Sequence, residues 1–390
     1  MISGVGMTAF GRHSDRTISS LATEAAREAL TDACIGDAQS QVDIVYYGNV
    51  ASGLLQGQES VRGQHALHGT ELAGVPLINV ENACASGSTA LNQAWLSVAA
   101  GQAEVAVALG AEKLNIGDKN RTFNALASAL NQERMDDIVT ELGSDGVGSV
   151  FMDIYARFAE WYMESSGATP EDFARVAVKN SAHGALNPKA QYGRQLTVEE
   201  VLNARKVSGC LTVPMCAPMS DGAAAAVVTT PEFAKRCGAS PVRLRGSALS
   251  AGRHGAYGEL VPATALRAFE MAGADPRDVD IVECHDAASP AELIVLEQLR
   301  LCEPGEAPAL LRSGATSIGG RLPVNPSGGL QSKGHPLGAT GLGQVAEIAD
   351  QLRGRAGRRQ AGSPTLAVAE NAGGYIGPDA AVATVTILST

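Results

Sequence analysis

Three side chains in this sequence could together make and use a nucleophilic sulfur. Cys84 stands in Asn82-Ala83-Cys84-Ala85-Ser86-Gly87-Ser88. A strand-like apolar run, Val75 to Val80, leads into it, and an Ala- and Leu-rich helical stretch, Ala90 to Ala100, leads out. A cysteine where a strand gives way to a helix meets unpaired backbone N–H groups and the positive end of the helix dipole, which favour a thiolate. His285 lies in Glu283-Cys284-His285-Asp286-Ala287-Ala288-Ser289, and His335 in Lys333-Gly334-His335-Pro336. Cysteine plus histidine is the minimum for activation: the histidine takes the proton and the ion pair keeps the sulfur nucleophilic. A second histidine can polarise a carbonyl. Gly328-Gly329 and Gly373-Gly374 offer N–H donors for a developing oxyanion. These parts suit acyl transfer through a thioester on Cys84.

Each part also has a plainer reading. A free cysteine is usually a small buried hydrophobe. A histidine at a strand end, or before a proline, can simply satisfy a turn. Paired glycines can serve a positive φ with no ligand. Joint placement decides between the readings, so the elements that carry these residues matter.

The opening Ile2 to Thr8 reads as a strand, and Ser19 to Ala33 as a helix with Leu21, Ala25, Ala29 and Leu30 on one face. Val42 to Tyr47 and Glu104 to Gly110 read as buried strands around the Cys84 turn. Strands alternating with helices give a parallel, doubly wound sheet. Residues 115–208 are more polar, with helices over Ser149 to Ser165 and Pro170 to His183, and form a helical insertion that could act as a lid or binding lobe. Ala223 to Val228 then rejoins the sheet. From Pro241 the order restarts: strand Arg243 to Ala248, helix Val261 to Ala272, strand Val279 to Val282, a helix opened by His335-Pro336-Leu337-Gly338, and strands Thr365 to Ala369 and Ala380 to Leu388. Val279-Asp280-Ile281-Val282 repeats the letters of Val42-Asp43-Ile44-Val45. The repeated order reads as a duplication. Residues 1–114 with 209–240 form one half, 115–208 the lobe, and 241–390 the other half. The Cys84, His285, Asn325 to Pro336 and Glu370 to Tyr375 loops all fall at or beside the C-terminal ends of parallel strands, where open α/β sheets bind ligands.

The bulk composition narrows the function classes. The chain has 390 residues, 45% hydrophobic and 18% charged, enough for a large core over two to three domains. Aromatics are only 4% and glycines number 44, which suits α/β layers with small residues at close contacts. A net charge of −11 argues against a nucleic-acid surface or an anionic-membrane surface. Seven scattered cysteines with no CxxC pair argue against a zinc ribbon or other metal site in this chain and fit a reducing cytoplasm. The N-terminus shows no basic-then-apolar leader, no apolar run reaches the length of a membrane span, and Ile387 to Thr390 is not a peroxisomal address. A cytoplasmic location is the expectation.

Asn82-Ala83-Cys84-Ala85-Ser86-Gly87, Ser220-Asp221-Gly222-Ala223-Ala224-Ala225, and Asn325-Pro326-Ser327-Gly328-Gly329 through Gly334-His335-Pro336-Leu337-Gly338-Ala339-Thr340-Gly341 resemble the thiolase superfamily over nearly the whole chain. His285-Asp286 resembles the sterol-carrier-protein branch. The resemblance implies a duplicated α/β fold, two stacked mostly parallel sheets in an αβαβα five-layer arrangement. It implies coenzyme A thioesters as substrates or products and no bound cofactor. By position, Cys84 is the acylated nucleophile, His335 its base, and His285 a contributor to the enolate oxyanion hole. The N–H groups of Cys84 and Gly373 form the hole for the thioester oxygen.

The departures from the family are equally informative. A thiolase needs a second acid/base at the α-carbon. Other thiolases carry a cysteine where this chain has Asn371, and the sterol-carrier branch carries one where this chain has Ala287. Candidates for the missing role, or for substrate contacts, are Cys284, Asp286, Ser289, Asn371 and Tyr375; a water or the substrate itself could also fill it. Strand alternation beside an inward His285 turns Cys284 toward the core. Ser247 and the 115–208 lobe are candidate substrate contacts.

The expected activity is a thiolase-like acyltransferase acting on a 3-oxoacyl-CoA, with branched and aromatic acyl groups among the candidates. One alternative on the same fold is a retro-aldol lyase or an acyltransferase to an acceptor other than coenzyme A. Another is a non-catalytic acyl-CoA-binding subunit. The resemblance also implies a homodimer core and a small separate zinc-ribbon/OB-fold partner.

Overall fold

The computed structural model describes residues 1–144, 148–253, 258–377 and 379–390. Its strands are β1 (Ile2–Met7), β2 (Ile44–Gly48), β3 (Leu77–Val80), β4 (Val105–Lys113), β5 (Lys206–Ser208), β6 (Leu211–Thr212), β7 (Asp221–Thr229), β8 (Arg243–Ala251), β9 (Ile281–Glu283), β10 (Leu366–Gly373) and β11 (Val382–Ser389). The helices used below are α1 (Ile18–Asp32), α2 (Ser86–Ala99), α3 (Lys119–Ala127), α4 (Met135–Leu142), α5 (Val150–Ser166), α6 (Pro170–Gly184), α7 (Leu260–Ala272), α8 (Ser289–Gln298) and α9 (Leu337–Leu352).

Two sheets carry the fold, in the orders β1-β7-β4-β2-β3 and β8-β11-β10-β9. In the first, only β7 runs against the others. In the second, only β11 does. The exceptions have a chain-path reason. The 115–208 excursion leaves the end of β4 and returns at the same end, so Asp221 pairs with Lys113 and β7 must run backwards. A short connection after Gly373 likewise turns β10 into β11 as a hairpin.

The repeated Val-Asp-Ile-Val has a shared task in the two halves. Asp43 Oδ2 accepts from the amides of Glu104 and Val105, fixing the start of β4 beside β2. Asp280 Oδ2 accepts from the amides of Thr365 and Leu366, fixing the start of β10 beside β9.

Side-chain alternation builds the five layers. Along β7, Ala223, Ala225 and Val227 pack with α1, while Ala224, Ala226 and Val228 pack with α2 and α9. Along β10, Ala367 and Ala369 face the same central helices, while Leu366 and Val368 face α7. The layers are therefore α1, sheet one, α2 with α9, sheet two, and α7.

Glycine lets the central layer close. A Cβ on Gly110 would stand 1.9 Å from the Gly338 carbonyl oxygen, and one on Gly87 2.5 Å from it. No larger residue fits at either position. This contact draws the starts of α2 and α9 together, and Cys84 and His335 lie just before those two starts. Over the C-terminal ends of the strands lies the helical excursion, α3 to α6. Among the described residues, no helix is long and apolar enough to cross a membrane.

Candidate active site

Cys84, His285 and His335 reach one point from three elements: the turn before α2, the loop after β9 and the loop before α9. Their Sγ and ring nitrogens all lie within 4.8 Å of one another. The imidazoles of His285 and His335 meet edge-on, centroids 5.1 Å apart at 70°.

The Cys84 turn is held tightly. Ala85 and Ser86 donate their amides to the carbonyls of Asn82 and Ala83, each at 3.0 Å. Ser86 Oγ donates to the Ala83 carbonyl at 2.7 Å and accepts from the Asn82 amide at 2.9 Å. Ala83 takes the left-handed region, φ +47°, unusual for a residue with a Cβ. Such a backbone persists only when its surroundings over-determine it. Gly373 abuts this turn: a Cβ there would stand 3.0 Å from the Cys84 amide nitrogen and 2.5 Å from the Asn82 carbonyl oxygen.

His335 is fixed from both sides. Its backbone N–H donates to Ser220 Oγ at 2.9 Å, and its Nδ1 lies 2.8 Å from Thr340 Oγ1. Thr340 spends its single hydrogen on the Pro336 carbonyl at 3.1 Å. The threonine oxygen therefore accepts from Nδ1–H, which leaves Nε2 as the bare, basic nitrogen. His285 donates its backbone N–H to Glu370 Oε2 at 3.0 Å, and its buried Nε2 has no partner among the described residues.

Burial sets the charge state of the trio. It pushes the Cys84 thiol up to about 12, with Glu112 and Glu81 adding to the rise against a smaller opposing backbone hydrogen bond. It lowers His285 to about 4, and it holds His335 well below the usual imidazole range with the neighbouring His285 adding to the fall. These shifts oppose the thiolate that the helix-start N–H groups favour and point to a neutral resting trio.

The site opens into a cavity of about 1650 Å³. Cys84, His285, His335, Glu370, Gly373 and Tyr375 line it. Part of its wall comes from the helical excursion, with Phe123, Phe151, Tyr155, Phe158 and Trp161.

The other nominated residues lie elsewhere. Cys284 is fully buried with Asn325 Nδ2 at 3.5 Å from its sulfur, as alternation requires. Asp286 accepts from Leu330 N–H, Asn180 Nδ2 and Gln331 Nε2, and burial with Glu292 beside it holds its carboxyl well above the usual range. Ser289 pairs with Gln331 Oε1 at 2.9 Å. Asn371 points to α9, where its Nδ2 meets Gln344 Oε1 at 3.2 Å. None of these four lines the cavity. Ser247 is buried between the sheets against Asn92 and Thr386, so it does not reach the cavity: its place on β8 turns it to the central layer.

Sequence reasoning passed over three functional neighbours. Thr340 was visible inside the His335 motif, five residues on. Glu370 preceded Asn371, and burial raises its carboxyl to about 7 while Oε1 has no protein partner. Glu112 carried no signal. Its two oxygens accept from the amides of Val50, Ala51 and Gly338 and from Asn49 Nδ2, tying sheet one to the start of α9.

Residues 1–198 match the family model "Thiolase, N-terminal domain", and residues 260–390 match "Thiolase C-terminal domain-like". The chain is 38% identical over 385 residues to sterol carrier protein 2 of Gallus gallus, covering 95% of this chain and 69% of that protein. It is 38% identical over 360 residues to the benzoylsuccinyl-CoA thiolase subunit BbsB of Thauera aromatica, covering 90% and 88%. A solved structure of an Ltp2–ChsH2(DUF35) aldolase superposes with a TM-score of 0.83 at 27% identity, covering 100% of this chain and 97% of the other.

Proposed function

This chain belongs to the thiolase family, and on that premise we propose that it forms an acyl-enzyme on Cys84 and cleaves or makes a C–C bond in a 3-oxoacyl-CoA thioester. It is an enzyme of the thiolase acyltransferase type. The observation that carries the reading is the convergence of Cys84, His285 and His335 within 4.8 Å at the floor of one cavity.

In this reading His335 Nε2 takes the Cys84 proton as the sulfur attacks the 3-oxo carbon. The N–H groups of Cys84 and Gly373 hold the thioester oxygen of the acyl-enzyme. His285 Nε2, buried and unpartnered, serves the oxygen of the enolate. The 115–208 lobe supplies the acyl pocket, and its aromatic wall suits an aromatic or branched group. Arg12, Lys119 and Arg205 line the cavity without a carboxylate partner among the described residues, and they suit the phosphates of coenzyme A. Incubation with acetyl-CoA or benzoyl-CoA, followed by intact-protein and peptide mass spectrometry, should leave the acyl group on Cys84. Full activity in Cys84→Ala would overturn the reading.

A second reading rests on Ala287 and Asn371, which leave empty both positions where relatives carry another cysteine. It is a retro-aldol cleavage on the same site, and it draws support from the neighbour named as an aldolase. Release of an aldehyde or ketone without free coenzyme A would select it. A homodimer core joined by a small zinc-ribbon/OB-fold protein completes the proposal. It is supported by a relative named as a subunit and by a neighbour named for a DUF35 assembly. Co-purification from the native host tests it.

A further inference from the structure

Opening a C–C bond beside a thioester leaves an electron pair on the α-carbon, and that carbon needs a proton. His335 is occupied with the Cys84 proton, so a second acid must face the same cavity. Cys284, Asp286, Ser289 and Asn371 lie off it, as shown above. Glu370, Tyr375 and Tyr155 do face it; Glu370 accepts from the His285 N–H and Tyr375 is engaged by other contacts, which leaves Tyr155. Its ring stands in the cavity wall with Cys84, His285 and His335. It is carried by α5, which packs against α8, the helix that follows the His285 loop. Phe158 meets the ring edge-on, centroids 6.0 Å apart at 85°, which fixes its orientation. Its hydroxyl has no hydrogen bond among the described residues, and the half-buried side chain is open to the cavity. A phenol so placed can hydrogen-bond a molecule that enters the cavity.

We propose that the Tyr155 hydroxyl is the acid that protonates the substrate α-carbon, on the side of the cavity facing Cys84. This assignment rests on the acyl-enzyme reading above. The Cys84 sulfur bonds to the 3-oxo carbon, and the bond between that carbon and the α-carbon breaks. The electron pair goes to the α-carbon, which takes the phenolic hydrogen and leaves as a shortened acyl-CoA. The phenolate then receives the thiol proton of the incoming coenzyme A, whose sulfur displaces Cys84. The cysteine recovers its own proton from His335. Burial, with the negative groups around it, holds the phenol above its ordinary range and keeps it protonated until that moment.

Two substrates separate the roles. Benzoyl-CoA acylates Cys84 with a thiolate leaving group and needs no carbon acid. Cleavage of 3-oxo-3-phenylpropionyl-CoA, or of acetoacetyl-CoA, needs one. Tyr155→Phe should label Cys84 from benzoyl-CoA within about threefold of the unsubstituted enzyme. Its cleavage of the 3-oxo thioesters should fall about a hundredfold or more, the range of a lost general acid. Unchanged cleavage, or an equal fall in both steps, overturns the assignment. So does the same split in Glu370→Gln with none in Tyr155→Phe. If the unsubstituted enzyme cleaves the 3-oxo thioesters but Cys84 is never acylated, the acyl-enzyme reading falls instead; if it does neither, both fall.

Discussion

Thr340 Oγ1 lies 2.8 Å from His335 Nδ1 and 3.1 Å from the Pro336 carbonyl oxygen, so one hydroxyl fixes which imidazole nitrogen carries the proton. The wrong tautomer would turn an N–H, not a lone pair, toward Cys84. We expect Thr340→Val, which keeps the shape and removes the acceptor, to slow acylation of Cys84 from acetyl-CoA at least tenfold. Thr340→Ser should restore most of the rate. Stopped-flow or quenched mass measurement of the acyl-enzyme reads both. Equal rates in all three proteins would show that the threonine only packs.

The charge state of Cys84 is testable by alkylation. A thiol pushed up to about 12 beside imidazoles held below their usual range is neutral at pH 7. The reactive species is the thiolate. The rate of iodoacetamide modification at Cys84 should therefore keep climbing about tenfold per pH unit from pH 7 to 10. A plateau below pH 8 would indicate a standing ion pair and refute the neutral resting state.

Glu370 should make the fold pH-sensitive. Its carboxyl stands near 7 when folded and at 4.5 as the ordinary value. Between those values the native state holds a proton that the unfolded chain releases, so stability falls as pH rises from about 4.5 to about 7. The loss amounts to about 3 kcal/mol and is complete above pH 7. Glu112, also raised to about 7, adds in the same direction. Glu370→Gln keeps an acceptor for the His285 N–H and removes the charge. Its melting temperature should match that of the unsubstituted protein near pH 4.5 and exceed it by a few degrees at pH 8. A variant less stable at both values would contradict the sign.

The scaffold and the meeting of Cys84, His285 and His335 were legible because short-range patterns encode them. Asp43 and Asp280 were readable as a repeat because each half needs an acceptor at the same strand start. Cys84 and His335 were readable because each precedes a helix, and the glycines that let those helices touch are themselves in the motifs. The failures share another cause. Thr340 and Glu370 act through hydrogen bonds whose partners only folding supplies. Tyr155 arrives from a lobe with no periodic tie to the sheets, so no spacing rule points from it to Cys84. Ser247 failed for the opposite reason: strand alternation was available, but the face assignment needed the neighbouring helix. Burial opposes the thiolate expectation, because desolvation of the sulfur outweighs the few N–H dipoles at a helix start.

The lobe should decide which acyl group is accepted. Phe123, Phe151 and Trp161 bring their rings to the cavity wall, in a chain with only 4% aromatics overall. Concentrating scarce rings at one surface points to selective contact with the substrate. Phe151 tests this because it contributes to the wall without touching Tyr155 in a ring pair. Removing a phenyl ring from a pocket that holds an aromatic acyl group should cost about 1–3 kcal/mol of transition-state binding. A small acyl group sets no ring against these side chains and should lose little. We therefore expect Phe151→Ala to lower kcat/KM for 3-oxo-3-phenylpropionyl-CoA about tenfold or more, and to leave acetoacetyl-CoA within about threefold. Equal losses on the two thioesters would mean that Phe151 supports the lobe rather than the substrate. A larger loss on acetoacetyl-CoA would assign the wall to coenzyme A and move the acyl pocket elsewhere.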